Sequence, residues 1–197
     1  RIDNFSKAAG LVSGEFQGRR YDDSDVFKII EGACYSLSHE YNKKLDSYLD
    51  SLSILIAAAQ EDDGYLFTVR TLNSGEHINS IGEERWSNIY RSHELYNVGH
   101  LYEAAVASYI ATGEKKILDV AIKNADLIDK IFGWDKRIDV PGHQEIEIGL
   151  VKLYRLTGEK KYLDLAQFFL DARGRHKKSI PPDSIGFYQY NQSHKPV

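Results

Sequence analysis

The sequence predicts an all-α protein built from stacked helical hairpins, and three observations support that fold class. Apolar residues recur at intervals of three and four along most of the chain, which is the spacing of one face of a helix. A pattern that spans two helices occurs twice. No apolar run approaches the ~20 residues that a membrane span requires, so the helices are predicted to pack against one another.

The first two helices follow from two apolar stripes. Ser24 is a candidate N-cap for a helix over 25–37, because serine accepts hydrogen bonds from the free N–H groups of a first turn. The second stripe covers 45–59 and ends at an acidic turn that contains Gly64. The next stretch, 65–71, is rich in β-prone residues and predicts at most one short strand.

Four more helices are predicted after a polar loop over 73–84. Gly113 suits a left-handed cap at the end of the third helix. The tail from residue 174, which contains two consecutive prolines, is predicted to be a loop. The four helices are expected to begin near 86–89, 114, 142 and 159 and to end at 111, 132, 157 and 173.

An internal repeat sets the architecture. Gly99-His100 followed by a Thr-Gly-Glu-Lys-Lys string at 112–116 recurs as Gly142-His143 followed by the same string at 157–161. The copies are 43 residues apart at the histidines (143 − 100) and 45 apart at the threonines (157 − 112). Such a period indicates stacked helical hairpins. Three hairpins are about half of an (α/α)6 toroid, and they leave an apolar flank for more chain or a tightly associated neighbour.

Composition excludes several classes of function. The chain has 25 Lys and Arg against 29 Asp and Glu, a net charge of −4 with both signs scattered, so no basic surface for nucleic acid is predicted. Cys34 is the single cysteine, which excludes a disulfide framework and a thiolate-rich metal site within these residues. No signal-peptide pattern follows the first residue, and the compartment stays open, with a periplasmic or secreted location slightly favoured.

The segment 91–103 is the leading candidate for a ligand-binding site. On one continuous helix its polar residues share a face, since they follow the i, i+3, i+4, i+7 rule: His93, Tyr96, Asn97 and His100. Imidazole, phenol and carboxamide groups form a good hydrogen-bonding wall for a polyhydroxylated ligand, and capping or inter-helix hydrogen bonds are the alternative. The two histidines are separated by roughly 10 Å of helical rise, too far to chelate one zinc ion.

A second candidate position is His143. Its place in the repeat predicts that it lies on the equivalent wall of the next hairpin, in the first turn of the fifth helix. Glu147, four residues on, is positioned to orient it, although Glu145 and Glu147 are better explained as carboxylates that favour a helix N-terminus. No pair of carboxylates can be assigned to acid/base work, and Cys34 is predicted to be a small buried apolar residue.

Five motifs occur in order along the chain. They are Asp-Asp-Ser-Asp-Val-Phe-Lys at 22–28, Ala-Ala-Ala-Gln-Glu-Asp-Asp-Gly-Tyr-Leu at 57–66, Ser-His-Glu-Leu-Tyr-Asn at 92–97, Pro-Gly-His-Gln-Glu-Ile-Glu at 141–147 and Gln-Ser-His-Lys-Pro-Val at 192–197. Together they resemble glycoside hydrolase family 127, the β-L-arabinofuranosidase family. The sequence departs from that pattern at Ser193, where the family usually has Asp.

The resemblance implies that residues 1–197 are the N-terminal part of a single α/α-toroid catalytic domain. The implied activity is that of a retaining, exo-acting enzyme that releases terminal L-arabinofuranose from plant-type glycans. Family members use a cysteine nucleophile, a glutamate acid/base and a zinc ion held by a glutamate and cysteines. All of these are expected beyond Val197, so no catalytic residue and no metal ligand is assigned here, and Cys34 matches no family cysteine motif.

By motif, His93 and His143 match two histidines that bind the hydroxyls of arabinose in the family, with Tyr96 and Asn97 in support. Two other functions stay open. A helical-repeat binding or scaffold protein without activity would turn this polar stripe to open solvent rather than to a funnel shared with His143. A toroid enzyme for unsaturated uronic acid sugars would need basic residues clustered in its pocket, which the sequence does not show.

Overall fold

The computed structural model describes residues 1–173, and the tail with its motif at 192–197 lies outside the described residues. Within them the chain is helical, no strand forms, and the predicted all-α class is confirmed. A short 3-10 turn occupies Gly75–His77. The helices are α1 (Ile2–Ala8), α2 (Asp23–His39), α3 (Lys43–Ala59), α4 (Thr68–Thr71), α5 (Ile78–Ile81), α6 (Ile89–Ser92), α7 (Glu94–Thr112), α8 (Lys116–Ile131), α9 (Ile146–Thr157) and α10 (Lys160–Ala172).

The six long helices among the described residues form three hairpins: α2 with α3, α7 with α8, and α9 with α10. Helix α7 packs between α2 and α9, so the first helices of the hairpins form an inner row. Helix α8 packs between α3 and α10 in an outer row. The segments that enter α2, α7 and α9 touch one another, so the inner helices are parallel. This is the arrangement of part of an α/α toroid, as predicted.

Two glycines let α7 and α9 approach closely. A Cβ atom on Gly149 would lie 2.5 Å from the carbonyl oxygen of Gly99 and 2.9 Å from the Cβ atom of Tyr102. A Cβ atom on Gly99 would lie 2.8 Å from the backbone of Glu145 and Ile146. The chain that enters α9 therefore lies directly on the first turns of α7.

The β-prone stretch at 65–71 does not form a strand. Tyr65, Leu66 and Phe67 are buried, and the chain then makes the single helical turn of α4. The buried carboxylate of Asp23 accepts hydrogen bonds from the backbone N–H of Thr68 at 2.8 Å and from its hydroxyl at 2.6 Å. The apolar side chains that give this stretch its β propensity are buried against helices instead.

Three helix starts differ from the predictions. Helix α2 begins at Asp23 with Asp22 at its N-cap, so Ser24 lies inside the first turn. Helix α9 begins at Ile146, three residues after His143. The third predicted helix is divided into α6 and α7 because His93 adopts a left-handed conformation.

Several exposed apolar side chains lie on the two end hairpins, and Ile110 on α7 is exposed as well. Ile29 on α2 is 70% exposed and Tyr48 on α3 is 52% exposed, while Ile148 and Val151 are exposed on α9. They match the apolar flank that the sequence predicts. Among the residues described, no helix combines the length and the apolar character needed to cross a bilayer.

Candidate ligand-binding site

His93 lies at the junction of α6 and α7, with φ 65° and ψ 17°. Its Nδ1 atom is 2.8 Å from the carbonyl oxygen of Arg91. A carbonyl oxygen only accepts, so Nδ1 carries the proton and Nε2 is left as an acceptor. Burial lowers the pKa of His93 to about 4, and the positive charges of Arg20 and Lys28 act in the same direction. The ring is therefore neutral at pH 7.

His93, Tyr96 and His143 form a contiguous group of rings, which we call the aromatic wall. The centroid of His93 lies 5.0 Å from that of His143 and 5.5 Å from that of Tyr96. Tyr96 and His143 are 5.4 Å apart. The structure thus brings together three of the four predicted binding residues, from two different hairpins.

His143 is the exposed member of the aromatic wall. It precedes α9 rather than lying in its first turn, and the close approach of α7 and α9 through their glycines carries it to His93. Partial desolvation of its ring lowers the pKa of His143, and the nearby charge of Arg173 lowers it further. Both histidines of the wall therefore offer neutral imidazoles above pH 7.

Asn97, the fourth predicted residue, lies behind the aromatic wall. Its side chain is fully buried. Its Oδ1 atom accepts from the backbone N–H of Ser24 at 3.0 Å, and its Nδ2 atom donates to the carbonyl of Arg20 at 3.2 Å. Asn97 therefore fixes the entry to α2 against α7, whereas the prediction that it supports sugar binding directly is untested.

Three residues that sequence reasoning did not identify also hold the aromatic wall in place. The Lys28 ammonium donates to the Tyr96 hydroxyl at 2.7 Å. Arg20 Nε donates at 2.6 Å to the same Arg91 carbonyl that holds His93, and the ring of Tyr21 lies 5.2 Å from that of His93. Tyr21 and Lys28 lie in or next to the motif at 22–28, but no helical spacing links them to residues more than 60 positions away.

Beneath the aromatic wall, toward the middle of α7, lies a cluster of His100, Glu103 and Glu145. The His100 ring meets the Tyr96 ring edge-on at 4.7 Å. Its Nδ1 atom is 3.3 Å from a Glu103 oxygen and 3.1 Å from a Glu145 oxygen. Among the described residues these three have donor atoms near enough to meet at one metal ion. The Lys152 ammonium already neutralises Glu103 at 2.5 Å, so we interpret the group as a hydrogen-bonded cluster.

The two carboxyl groups of this cluster titrate in opposite directions. Burial raises the pKa of Glu145, and the hydrogen bond and charge of Glu103 raise it further, to about 8. Burial also opposes ionisation of Glu103, but its polar contacts with His100, Glu145 and Lys152 outweigh it and lower its pKa to about 2. At pH 7 the pair therefore carries one proton.

The zinc site that the resemblance implies does not fit the residues described here. Cys34 is the single cysteine of the sequence. It is fully buried inside α2, and burial raises the pKa of its thiol, so the thiolate that binds zinc is disfavoured. The cluster at His100 contains no thiolate.

Comparison with known proteins identifies the family. The model of the GH127 catalytic domain of β-L-arabinofuranosidases matches residues 2–197. The chain belongs to glycoside hydrolase family 127. It is 41% identical over 211 residues to the non-reducing end β-L-arabinofuranosidase of Bifidobacterium longum subsp. longum, a match that covers all of this chain and 32% of the relative.

Two solved GH127 structures resemble this family 127 chain. One is a β-L-arabinofuranosidase from Geobacillus stearothermophilus T6, with a TM-score of 0.82 and 42% identity over 89% of this chain and 27% of that one. The other is described as a GH127 β-arabinofuranosidase, with a TM-score of 0.83 and 49% identity over 90% of this chain and 28% of that one. The chain thus spans about a third or less of the length of these relatives.

Proposed function

We propose that this chain supplies one wall of the sugar pocket in a retaining, exo-acting β-L-arabinofuranosidase that acts on plant-type glycans. In this proposal His93 and His143 bind hydroxyl groups of a terminal L-arabinofuranose. The observation that carries it is the meeting of two neutral imidazoles, 5.0 Å apart, from separate hairpins. The curated relative, which is a non-reducing end β-L-arabinofuranosidase, supports the choice of sugar.

The chemistry of the aromatic wall suits a polyhydroxylated ligand. A neutral imidazole presents one donor and one acceptor, and the Nδ1–H of His93 is already held by the Arg91 carbonyl. Its Nε2 atom can therefore accept from a sugar hydroxyl without a change of protonation. Tyr96, whose hydroxyl is held by Lys28, supports both imidazoles through ring contacts.

Cleavage of the glycosidic bond requires groups that we expect beyond Val197. In this proposal the described residues position and bind the sugar, and we assign them no acid/base or nucleophilic step. The exposed apolar side chains of Ile29 and Ile148 on the end hairpins support the proposal that the rest of the toroid, or a tightly associated chain, covers them. A scaffold protein is less consistent with a polar stripe that meets His143 of the next hairpin.

The experiment is His93→Gly in the complete enzyme, assayed on a β-L-arabinofuranoside. Glycine adopts φ 65° without strain, so this change removes the ring and spares the backbone. Loss of hydrogen bonds to the reacting sugar, about 1.4–2.7 kcal/mol, lowers kcat/KM by roughly 10- to 100-fold. Wild-type kinetics in His93→Gly would contradict the assignment.

The matched control is His39→Ala. His39 is exposed at the far end of α2, away from the aromatic wall. Its replacement by alanine should therefore leave kcat/KM unchanged. Thermal unfolding of both variants separates a lost ligand contact from a lost fold. A similar loss of kcat/KM in His143→Ala would show that the two histidines act in one pocket.

A further inference from the structure

We propose that Glu103 and Glu145 share one proton and form a clasp that positions the aromatic wall for sugar binding. We call this pair the carboxyl clasp. Of the three measurements described below, only sugar binding rests on the proposed function. It adds a positioning role for Glu145, a residue that the sequence analysis explained only as a favourable charge at a helix N-terminus.

The carboxyl clasp joins the two segments that carry the aromatic wall. Glu103 lies on α7, two turns after Tyr96, and Glu145 lies two residues after His143. The missing side chain at Gly99 lets the backbone of Glu145 rest on α7. The two carboxyl groups have oxygen atoms within 4.8 Å of each other. Their contact therefore fixes where His143 stands relative to Tyr96.

His100 extends the carboxyl clasp to the ring of Tyr96. Its Nδ1 atom lies between the two carboxyl groups, at 3.3 Å and 3.1 Å from their nearest oxygens. Neither this nitrogen nor the Glu145 oxygen that it faces has a well-formed hydrogen bond. One N–H cannot satisfy both carboxylates, so the contact between the carboxyl groups themselves requires a proton on one of them.

The charged groups around the carboxyl clasp come from three inner helices. From α2, the charge of Glu31 opposes ionisation of Glu145 and the charge of Lys28 favours it. From α7, the Nδ1 atom of His100 faces both acids. From α9, Lys152 binds Glu103 at 2.5 Å and Glu31 at 2.9 Å, so its charge is engaged by those two groups. Glu145 is thus the member that holds the proton.

The carboxyl clasp has a predictable pH dependence. When pH rises through about 8, Glu145 ionises, and two adjacent carboxylates repel each other in a half-buried site. The segment that carries His143 then loses its hold on α7, so affinity for the sugar falls. Glutamine at position 145 donates to Glu103 as the protonated acid does but does not ionise.

The test measures the dissociation constant for L-arabinose with the complete enzyme between pH 7 and 9.5. We expect the wild type to bind about tenfold more weakly at pH 9.5 than at pH 7, which corresponds to a loss of about 1.4 kcal/mol of binding free energy. In Glu145→Gln the same ratio should stay below about twofold. Glu103→Gln removes the repelling partner and should also flatten the profile. Glu159→Gln, an exposed control, should keep the wild-type ratio.

Three outcomes of this comparison would overturn the proposal. One is a wild-type profile with no alkaline loss, and another is the same alkaline loss in Glu145→Gln. The third is an equimolar metal ion in the purified wild type that is absent from Glu145→Gln, which would make the cluster a metal site.

A second readout does not depend on sugar. Carbon-13 NMR of labelled glutamate carboxyls, compared between wild type and Glu145→Gln, should show one resonance that titrates near pH 8. If that resonance titrates near the ordinary value of 4.5, the carboxyl clasp is wrong whatever the sugar does. If it titrates near 8 and L-arabinose does not bind at any pH, the proposed function fails and the clasp stands.

The stability of the folded chain should also fall as pH rises, because it depends on the same carboxyl group. The pKa of Glu145 is higher in the folded chain than its ordinary 4.5, so the folded state binds more protons between pH 4.5 and 8. The resistance of this region to unfolding should therefore fall as pH rises through that window. Glu145→Gln should lack this slope.

Discussion

The hairpins α7–α8 and α9–α10 have connecting turns of the same conformation at the end away from the aromatic wall. Gly113 and Gly158 both have φ 75° and ψ −1°. The threonine before each glycine donates its hydroxyl to the carbonyl four residues back, at 2.9 Å and 2.8 Å, and accepts from the N–H two residues on at 3.2 Å in both copies.

The other ends of the same hairpins differ. Helix α7 has 19 residues and starts directly after the left-handed His93. Helix α9 has 12 residues and starts three residues after His143. His100, the repeat partner of His143, lies inside α7 and belongs to the carboxyl clasp rather than to the aromatic wall. The repeated end is scaffold, and the site is built where the repeat breaks down.

Gly149→Ala should cause the largest loss of stability, because it acts where the two hairpins meet near the site. The new Cβ atom would lie 2.5 Å from the Gly99 carbonyl oxygen, which is backbone and cannot turn away. We expect a loss of about 3 kcal/mol, measured by native-state hydrogen exchange of the α9 amides in the complete enzyme.

Gly32→Ala on α2 is the matched control for this change. A Cβ atom there meets nothing within 4 Å, so alanine should stabilise its helix by about 0.5–1 kcal/mol. Wild-type exchange rates in Gly149→Ala would show that close packing of α7 and α9 does not set the position of His143.

Asn97→Ala should have the next largest effect and should act at the site end alone. It leaves the Ser24 N–H and the Arg20 carbonyl without their partner, at a cost of about 2 kcal/mol. Faster hydrogen exchange should appear in the first turn of α2 and spare the turn at Gly113. Asn79→Ala, at an exposed position, serves as the control, and equal exchange in both variants would refute a positioning role for Asn97.

Gly113→Ala and Gly158→Ala should have smaller effects that match each other. Neither glycine has an atom within 4 Å of an added Cβ, so the cost is the left-handed backbone alone, about 1 kcal/mol at each site. Gly75→Ala, where φ is not positive, should cost less. Exchange at the ends of α7 and α9 measures both, and a difference above about 0.5 kcal/mol would break the equivalence of the two turns.

Much of the fold follows from local signals. Apolar periodicity and the repeated Thr-Gly string predict the long helices and their turns, because both depend on residues close in sequence. The short strand that the sequence allowed at 65–71 does not form, because the apolar side chains of this stretch are buried against helices instead. The helix break at His93 could not be predicted, since a left-handed histidine depends on the Arg91 carbonyl and on Arg20 from the turn before α2.

The site was predicted only where a motif or a helical face revealed it. His93, Tyr96 and His143 meet as the family resemblance suggests, although the helical rule that grouped His93 with Tyr96 does not apply to a residue outside the helix. Asn97 satisfies the same spacing rule, yet it is buried and bonded to backbone. The spacing rule does not distinguish a polar side chain that faces a ligand from one that is buried behind the site. The partnership of Glu103 with Glu145 required the contact between α7 and α9.

Parallel inner helices place the three hairpin turns together on the surface opposite the aromatic wall. These turns lie at 40–42, 113–115 and 158–159, and Lys115 is exposed there. A fluorophore or a surface tether attached at Lys115 would leave the aromatic wall free. Under the proposed function, the molecule could then be immobilised for sensing sugars, with the ligand approaching from the free side.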